Sequence, residues 1–219
     1  MTRLLQAEAL VVARGERRVL DGVSLAVAPG ERVFIDGASG AGKSTLPHAL
    51  LGLVPLGGGA VHLLGQRCAH ERDFAPLRGA VGLLFQDPDD QLLGPTVFED
   101  VEFGPLNLGL APAQAHQAAH AALARVGIEH LHARPVQELS GGEKRLAALA
   151  GVLAMQPKLL LLDEPTSGLD DDASALVLEV LAGTGLPMLA ATHDARCVAR
   201  LATRVLRLRD ERIANGAAS

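Results

Sequence analysis

Apolar and polar positions alternate loosely through Leu4–Val12 and again through Val19–Ala28. A period near two predicts half-buried strands, and Arg14-Gly15-Glu16 between them predicts a β-hairpin. Pro29-Gly30-Glu31 then turns the chain into a third strand, Arg32–Asp36. Leu46–Leu53 reads as a helix, with Pro47 in its first turns, where a missing N–H costs least. Gly57-Gly58-Gly59 is a turn, and Val61–Leu64 and Ala80–Phe85 are short strands. Between Gln86 and Gln156 the spacing becomes helical, with Ala/Leu periodicity over 113–126 and 142–155. Leu159–Leu162 is a continuous apolar run, the mark of a strand buried on both faces. Met188–Thr192 is a similar strand, and Val205–Leu208 is expected to close the sheet. The order is β-rich, then helical, then alternating β and α. It predicts one domain over 1–219, with a parallel α/β core from 1–85 and 157–219 and a helical insert at 86–156. The small polar tail Ala214–Ser219 is expected to fray.

With 48% hydrophobic residues in 219, the chain can bury a substantial core. No apolar run approaches the ~20 residues that a membrane-spanning helix needs. The start, Met1-Thr2-Arg3-Leu4-Leu5, turns polar at Gln6, so no signal peptide is expected. Cys68 and Cys197 are far apart, which fits a reduced, cytosolic compartment. A net charge of −5 argues against a nucleic-acid partner.

Candidate chemistry begins at Gly37-Ala38-Ser39-Gly40-Ala41-Gly42-Lys43-Ser44-Thr45, a G-x-x-x-x-G-K-[ST] pattern between a predicted strand and a predicted helix. Glycines at 37, 40 and 42 would let the backbone curl and aim N–H groups at phosphate oxygens. Lys43 would reach the outer phosphates, and the Ser44 hydroxyl would hold Mg²⁺. A second constellation is Leu159–Leu162 followed by Asp163-Glu164. Ligands gather at the carboxyl ends of such strands, so Asp163 is placed to hold Mg²⁺ through water and Glu164 to activate an attacking water. A third is Leu139-Ser140-Gly141-Gly142-Glu143. Ser140 and Glu143 form a capping box, and the bare glycines leave N–H groups able to cradle a phosphate.

Gly37–Thr45, Gln86, Leu139–Glu143, Leu162–Glu164, Ser167-Gly168-Leu169-Asp170 and His193 follow the order of motifs in ABC-transporter ATPase subunits. The chain resembles that family across nearly its whole length. The stretches Val81–Gln91, Pro95–Asn107 and Leu139–Met155 resemble its energy-coupling-factor branch, which powers uptake of vitamins and of cobalt or nickel ions. The resemblance implies a RecA-like P-loop NTPase core, with an N-terminal antiparallel β subdomain and an inserted α-helical signature subdomain.

It also implies a mechanism in which two ATPase subunits close around two ATP molecules. Lys43 and Mg²⁺ would serve one side of each γ-phosphate. Ser140, Gly141 and Gly142 of the partner, a second copy or a related subunit, would serve the other. Glu164 would be the general base, His193 would hold the γ-phosphate and the water, and Asp170 would tie the subunits together. Gln86 would sense Mg²⁺ and the water and pass that state to an integral-membrane subunit docked near Gln86–Gly104. A substrate-binding membrane subunit would be reached indirectly. The protein would sit on the cytoplasmic face of the membrane.

The charge pattern bears on docking. From Gly79 to Ala124 there is no Lys or Arg, but there are Asp87, Asp89, Asp90, Glu99, Asp100 and Glu102. The stretch is either a solvated acidic face or a groove for a basic membrane-subunit helix. His116 and His120 lack the intervening Glu of a zinc-protease helix and read as part of a solvated Ala-rich helix.

Three departures from the family pattern stand out. With no Tyr or Trp, the usual adenine-stacking position is Arg14, whose guanidinium can stack on a base. The arginine usual after the signature glycines is replaced by Leu146, with Arg145 adjacent. The C-terminal extension of many energy-coupling-factor ATPases is expected to be missing or minimal. A soluble family member using ATP-driven closure mechanically is the alternative; a small P-loop kinase would need neither Ser140–Gly142 nor the Asp163-Glu164 pair.

Overall fold

A computed structural model describes residues 3–38 and 40–214. The predicted hairpin is β1 (Leu5–Arg14) and β2 (Arg17–Val27), followed by β3 (Arg32–Asp36) and α1 (Thr45–Leu50). Then come β4 (Gly58–Leu63), β5 (Gln66–Cys68), a four-residue α2 (Glu71–Phe74) and β6 (Val81–Leu84). Three helices follow: α3 (Val97–Asn107), α4 (Pro112–Val126) and α5 (Gly141–Ala154). The chain ends as β7 (Leu159–Asp163), α6 (Asp171–Gly183), β8 (Met188–Ala191), α7 (Ala195–Leu201), β9 (Arg204–Arg209) and β10 (Arg212–Ala214).

Two sheets result. One is antiparallel, in the order β2-β1-β4-β5; the other has the order β10-β9-β3-β8-β7-β6 and is parallel from β9 to β6. The apolar run of β7 is explained by its position between β6 and β8 and by apolar layers on both faces. Leu160 and Leu162 join Phe34, Met188 and Ala190 in a core shared with α3–α6. Leu159 and Leu161 join Val33, Ile35 and Leu189 in a core shared with α1 and the antiparallel sheet. Alternate residues of one strand therefore anchor two different layers.

The expectation that Val205–Leu208 closes the sheet is corrected. β10 pairs antiparallel with β9 and forms the edge. The turn between them places Asp210 and Glu211 at φ +45° and +67°, the left-handed backbone of a two-residue hairpin. No glycine marks that turn. Glu211 O accepts from Asp21 N at 2.8 Å and Arg212 pairs with Asp21 at 2.7 Å, so the edge is tied to β2.

The helical stretch carries its own termination signals. Gly127 follows α4 at φ +78°, the left-handed cap that only glycine adopts cheaply. The cluster of buried residues runs from Val97, Leu123 and Leu146 into Phe34 and Leu162, so α3–α5 share one apolar core with the parallel sheet. Among the described residues no helix is long and apolar enough to cross a membrane.

Candidate active site

The strand–loop–helix expected around Lys43 is β3, the loop Gly37–Ser44 and α1; Ser39 lies outside the described residues. Gly40 and Gly42 have φ +76° and +97° and supply the curl. Gly37 is needed for a different reason: a Cβ there would lie 2.5 Å from Leu208 O on β9. Gly42 is doubly constrained, since its Cβ would also meet Val19 O at 2.7 Å. Lys43 is buried and donates to Gly37 O at 2.7 Å and Ala38 O at 3.0 Å, so its ammonium is held inside the loop mouth. Ala41 is partly buried against the core, and Thr45 opens α1 fully packed. A cleft of about 720 Å³ at the loop is lined by Arg14, Lys43, Ser44, Gln86, Glu164 and His193.

Asp163 ends β7 and is only 1% exposed, and its Oδ1 has no hydrogen-bond partner. Burial raises its pKa above the ordinary carboxylate range, while the Ser44 hydroxyl and His48 pull it back. An orphaned buried carboxylate oxygen beside a hydroxyl and an amide oxygen suits a divalent cation. Ser44 Oγ and Gln86 Oε1 are 3.5 Å apart, and the Ser44 side chain makes no cap bond to its own helix. His48, one helical turn beyond Ser44, places Nε2 3.9 Å from Asp163 Oδ2. Burial lowers the His48 pKa, and Asp163 opposes that shift.

Glu164 sits at φ +46°, a left-handed conformation unusual for a non-glycine residue and typical of functional turns. Its buried carboxylate accepts from Thr192 Oγ1 at 3.0 Å and from His193 N at 3.2 Å, and His193 Nδ1 lies 2.8 Å from Oε1. Thr192 in turn accepts from Asp194 N, and Thr166 donates to Asp194 at 2.8 Å. The chain after β8 is thus braced to the turn after β7. The sequence reading found Glu164 and His193 but missed Thr192, Thr166 and Asp194. Two threonines flanking paired acids at strand ends are the signal.

Ser140 caps α5 as expected: Glu143 N donates to Ser140 Oγ at 3.3 Å and Ser140 N donates to Glu143 Oε2 at 2.7 Å. The two glycines differ. A Cβ on Gly142 would lie 2.8 Å from Ala173 of α6, so packing requires its bareness. A Cβ on Gly141 would meet nothing within 4 Å, so nothing inside the chain requires glycine there. Neither Ser140, Gly141 nor Gly142 lines the Lys43 cleft; Gly141 borders the adjoining groove that runs past Asp87 to Ser44. Asp170 caps α6 by accepting from Ala173 N.

Arg145, the displaced arginine, is 1% exposed. It donates to Phe85 O and Gln86 O, each at 2.5 Å. Gln91 adds a second tie, accepting from Phe85 N and donating to Ala148 O. Lys144 pairs with Asp89 at 2.6 Å. Three side chains therefore fasten α5 to the segment that carries Gln86. The buried Arg145 bonds are the strong ones, since hydrogen bonds to charged groups contribute about 1.5–3 kcal/mol each, whereas the largely exposed Lys144–Asp89 pair contributes less.

The acidic stretch is largely engaged within the chain. Asp100 accepts from Leu93 N and Gly94 N at 2.7 Å, Glu99 bonds Thr96, and Glu102 pairs with His116 at 3.3 Å. His116 and His120 are exposed but stack on Phe98, with ring centroids 4.6 and 4.8 Å away.

A family model described as ABC transporter matches residues 20–167. The chain belongs to the ABC transporter family. It is an ATP-binding, ATP-hydrolysing subunit of a transporter, built on the P-loop NTPase fold. The cobalt import ATP-binding protein CbiO of Rhodobacter capsulatus is 48% identical over the whole chain and 80% of its own length. An uncharacterized ABC transporter ATP-binding protein of Haemophilus influenzae is 50% identical over 77% of this chain and 78% of its own. The solved structure of cbiO1 from Clostridium perfringens, described as part of the ABC transporter complex cbiONQ, matches with a TM-score of 0.86 and 33% identity. That match covers 98% of this chain and 88% of the other.

Proposed function

We propose that this ABC ATPase powers uptake of a micronutrient, with cobalt or nickel ions the favoured cargo and a vitamin the other member of the class. The observation that carries this reading is the 48% identity, over the whole chain, to a cobalt import ATP-binding protein. The subunit works at the cytoplasmic face of the membrane, paired with a second ATPase subunit and coupled to an integral-membrane subunit. Two exposed features near Gln86–Gly104 support docking there. Leu93 is 77% exposed and Phe103 53%, with Leu106 and Leu108 nearby. Because most acids of the stretch already have partners, the surface offers apolar contacts more than free charge. Affinity purification of the tagged chain from detergent-solubilised membranes is expected to bring an integral-membrane partner with it. Recovery of the ATPase alone, from cells actively accumulating cobalt, would remove the transport reading.

The geometry supports the following roles. Lys43 leaves the Gly37 and Ala38 carbonyls to meet the outer phosphates. Ser44 and Gln86, with Asp163 behind them, would hold Mg²⁺, which supplies charge neutralisation on the phosphates when bound. Glu164, held by Thr192, takes the proton of the attacking water, and His193 orients Glu164 and contacts the γ-phosphate. Ser140, Gly141 and Gly142 serve the site of the other subunit. Through Arg145, the position of Gln86 is transmitted to the helix that carries those residues.

Adenine stacking falls to the hairpin arginines. Arg14 and Arg17 both line the cleft, so two guanidinium planes are available where the family places an aromatic ring. Arg14→Tyr is expected to tighten ATP binding several-fold in equilibrium titration, since an aromatic face adds about 1–3 kcal/mol of base stacking. Unchanged affinity would exclude Arg14 as the platform.

A further inference from the structure

His48 is not one of the residues that the family motifs select, yet its placement is specific. It lies four residues after Ser44, so the two side chains share one face of the turn that opens α1. Phe85 packs against its ring, with centroids 5.2 Å apart at 47°. Its Nε2 is buried without a hydrogen-bond partner and lies 3.9 Å from Oδ2 of Asp163, whose other oxygen, Oδ1, is also buried without one. A buried ring nitrogen and a buried carboxylate oxygen, each without a partner and both beside Ser44, are costly unless something else satisfies them.

We propose that His48 is an imidazole ligand to the divalent cation of the nucleotide site, so that this site accepts Mn²⁺ or Co²⁺ more readily than an all-oxygen site would. The inference rests on the reading that Ser44, Gln86 and Asp163 hold that cation. The imidazole nitrogen lies 3.9 Å from the carboxylate that would hold the ion through water, and His48, Asp163, Ser44 and Gln86 all line one groove. Magnesium favours oxygen donors, whereas imidazole suits the borderline transition ions, so one nitrogen changes the preference rather than the site's existence. Among the described residues, no three His, Cys, Asp or Glu converge to hold a metal by themselves. The ion therefore binds with the nucleotide, completed by Ser44, Gln86 and phosphate oxygens.

The test is pulsed electron paramagnetic resonance on the full chain loaded with Mn²⁺ and a non-hydrolysable ATP analogue. Nitrogen modulation from a directly bound imidazole is expected, and it should change to the ¹⁵N pattern when the protein is grown with ¹⁵N-histidine. His48→Gln should abolish it and reduce the preference for Mn²⁺ over Mg²⁺, measured by competition, by about tenfold. The labelled wild-type spectrum stands even if the variant folds poorly. Absence of histidine nitrogen coupling in the wild type, or its persistence in His48→Gln, overturns the proposal. Ser44→Ala separates it from the reading beneath it. That change should weaken Mg²⁺ and Mn²⁺ alike, and its silence would overturn the cation position itself, and the role of His48 with it.

Discussion

Replacing Glu164 by Gln is expected to abolish ATP turnover while leaving ATP binding intact. The substitution is nearly isosteric, so the amide oxygen can still accept from Thr192 Oγ1 and His193 N, which now hold the carboxylate at 3.0 and 3.2 Å. What is lost is the capacity to take a proton. General-base assistance is typically worth ~10²–10⁴ in rate, and that is the expected loss in steady-state phosphate release. Binding should survive because the phosphates are held by Lys43 and the loop, not by Glu164. With hydrolysis blocked, the ATP-bound pair of subunits should accumulate, visible as an ATP-dependent shift to a dimer in size-exclusion chromatography. Retained turnover would exclude Glu164 as the base. The left-handed backbone at Glu164 offers a control. Ala at this position removes the carboxylate but keeps the same strained turn. A folding defect in Glu164→Ala but not Glu164→Gln would assign the difference to the lost Thr192 and His193 contacts.

Much of this architecture was legible because its signals are local. The β3–loop–α1 unit needs glycines where φ turns positive, and Gly40 and Gly42 are there. The leucine run of β7 had to be buried on both faces, and it is. Ser140 and Glu143 announced the start of α5, and the capping box formed. The failures share a cause as well. The Asp210-Glu211 turn uses two non-glycine residues in the left-handed region, which tertiary contacts to Asp21 stabilise and no local pattern reveals. Arg145 read as a misplaced family residue; only the fold shows its guanidinium on the Phe85 and Gln86 carbonyls, 60 and 59 residues away. The requirement for Gly37 comes from Leu208, on a strand at the far end of the chain. His48 was silent because one histidine in an apolar helix carries no spacing signal until Asp163 is brought opposite it. Long-range juxtaposition, not composition, defines these features.

The division of the site between two subunits leads to the second large effect. In the single chain, Ser140–Gly142 do not line the cleft that holds Lys43 and Glu164. Gly141 is bare although nothing within the chain would obstruct a side chain there. Its openness is therefore a feature for something outside the chain, and an ATP molecule held by another subunit is the occupant proposed. Lys43→Ala removes the phosphate-binding cation, and Ser140→Arg fills the signature surface. Each variant alone is expected to be inactive, since every site in its homodimer is damaged. Mixed one to one, they should recover activity. Half of the randomly formed dimers are then mixed pairs. In each pair one site has both defects and the other has neither, because a two-fold interface assigns the loop and the signature of one chain to opposite sites. One intact site in four gives an expected rate of about a quarter of wild type, if the sites fire independently. A strictly cooperative pair would give less, but the rate would still rise with the square of concentration at low protein. If each chain formed its own complete site, mixing two dead variants could restore nothing. Failure of the mixture, with both variants folded and Ser140→Arg still binding ATP, would therefore return the signature to the role of an ordinary helix cap.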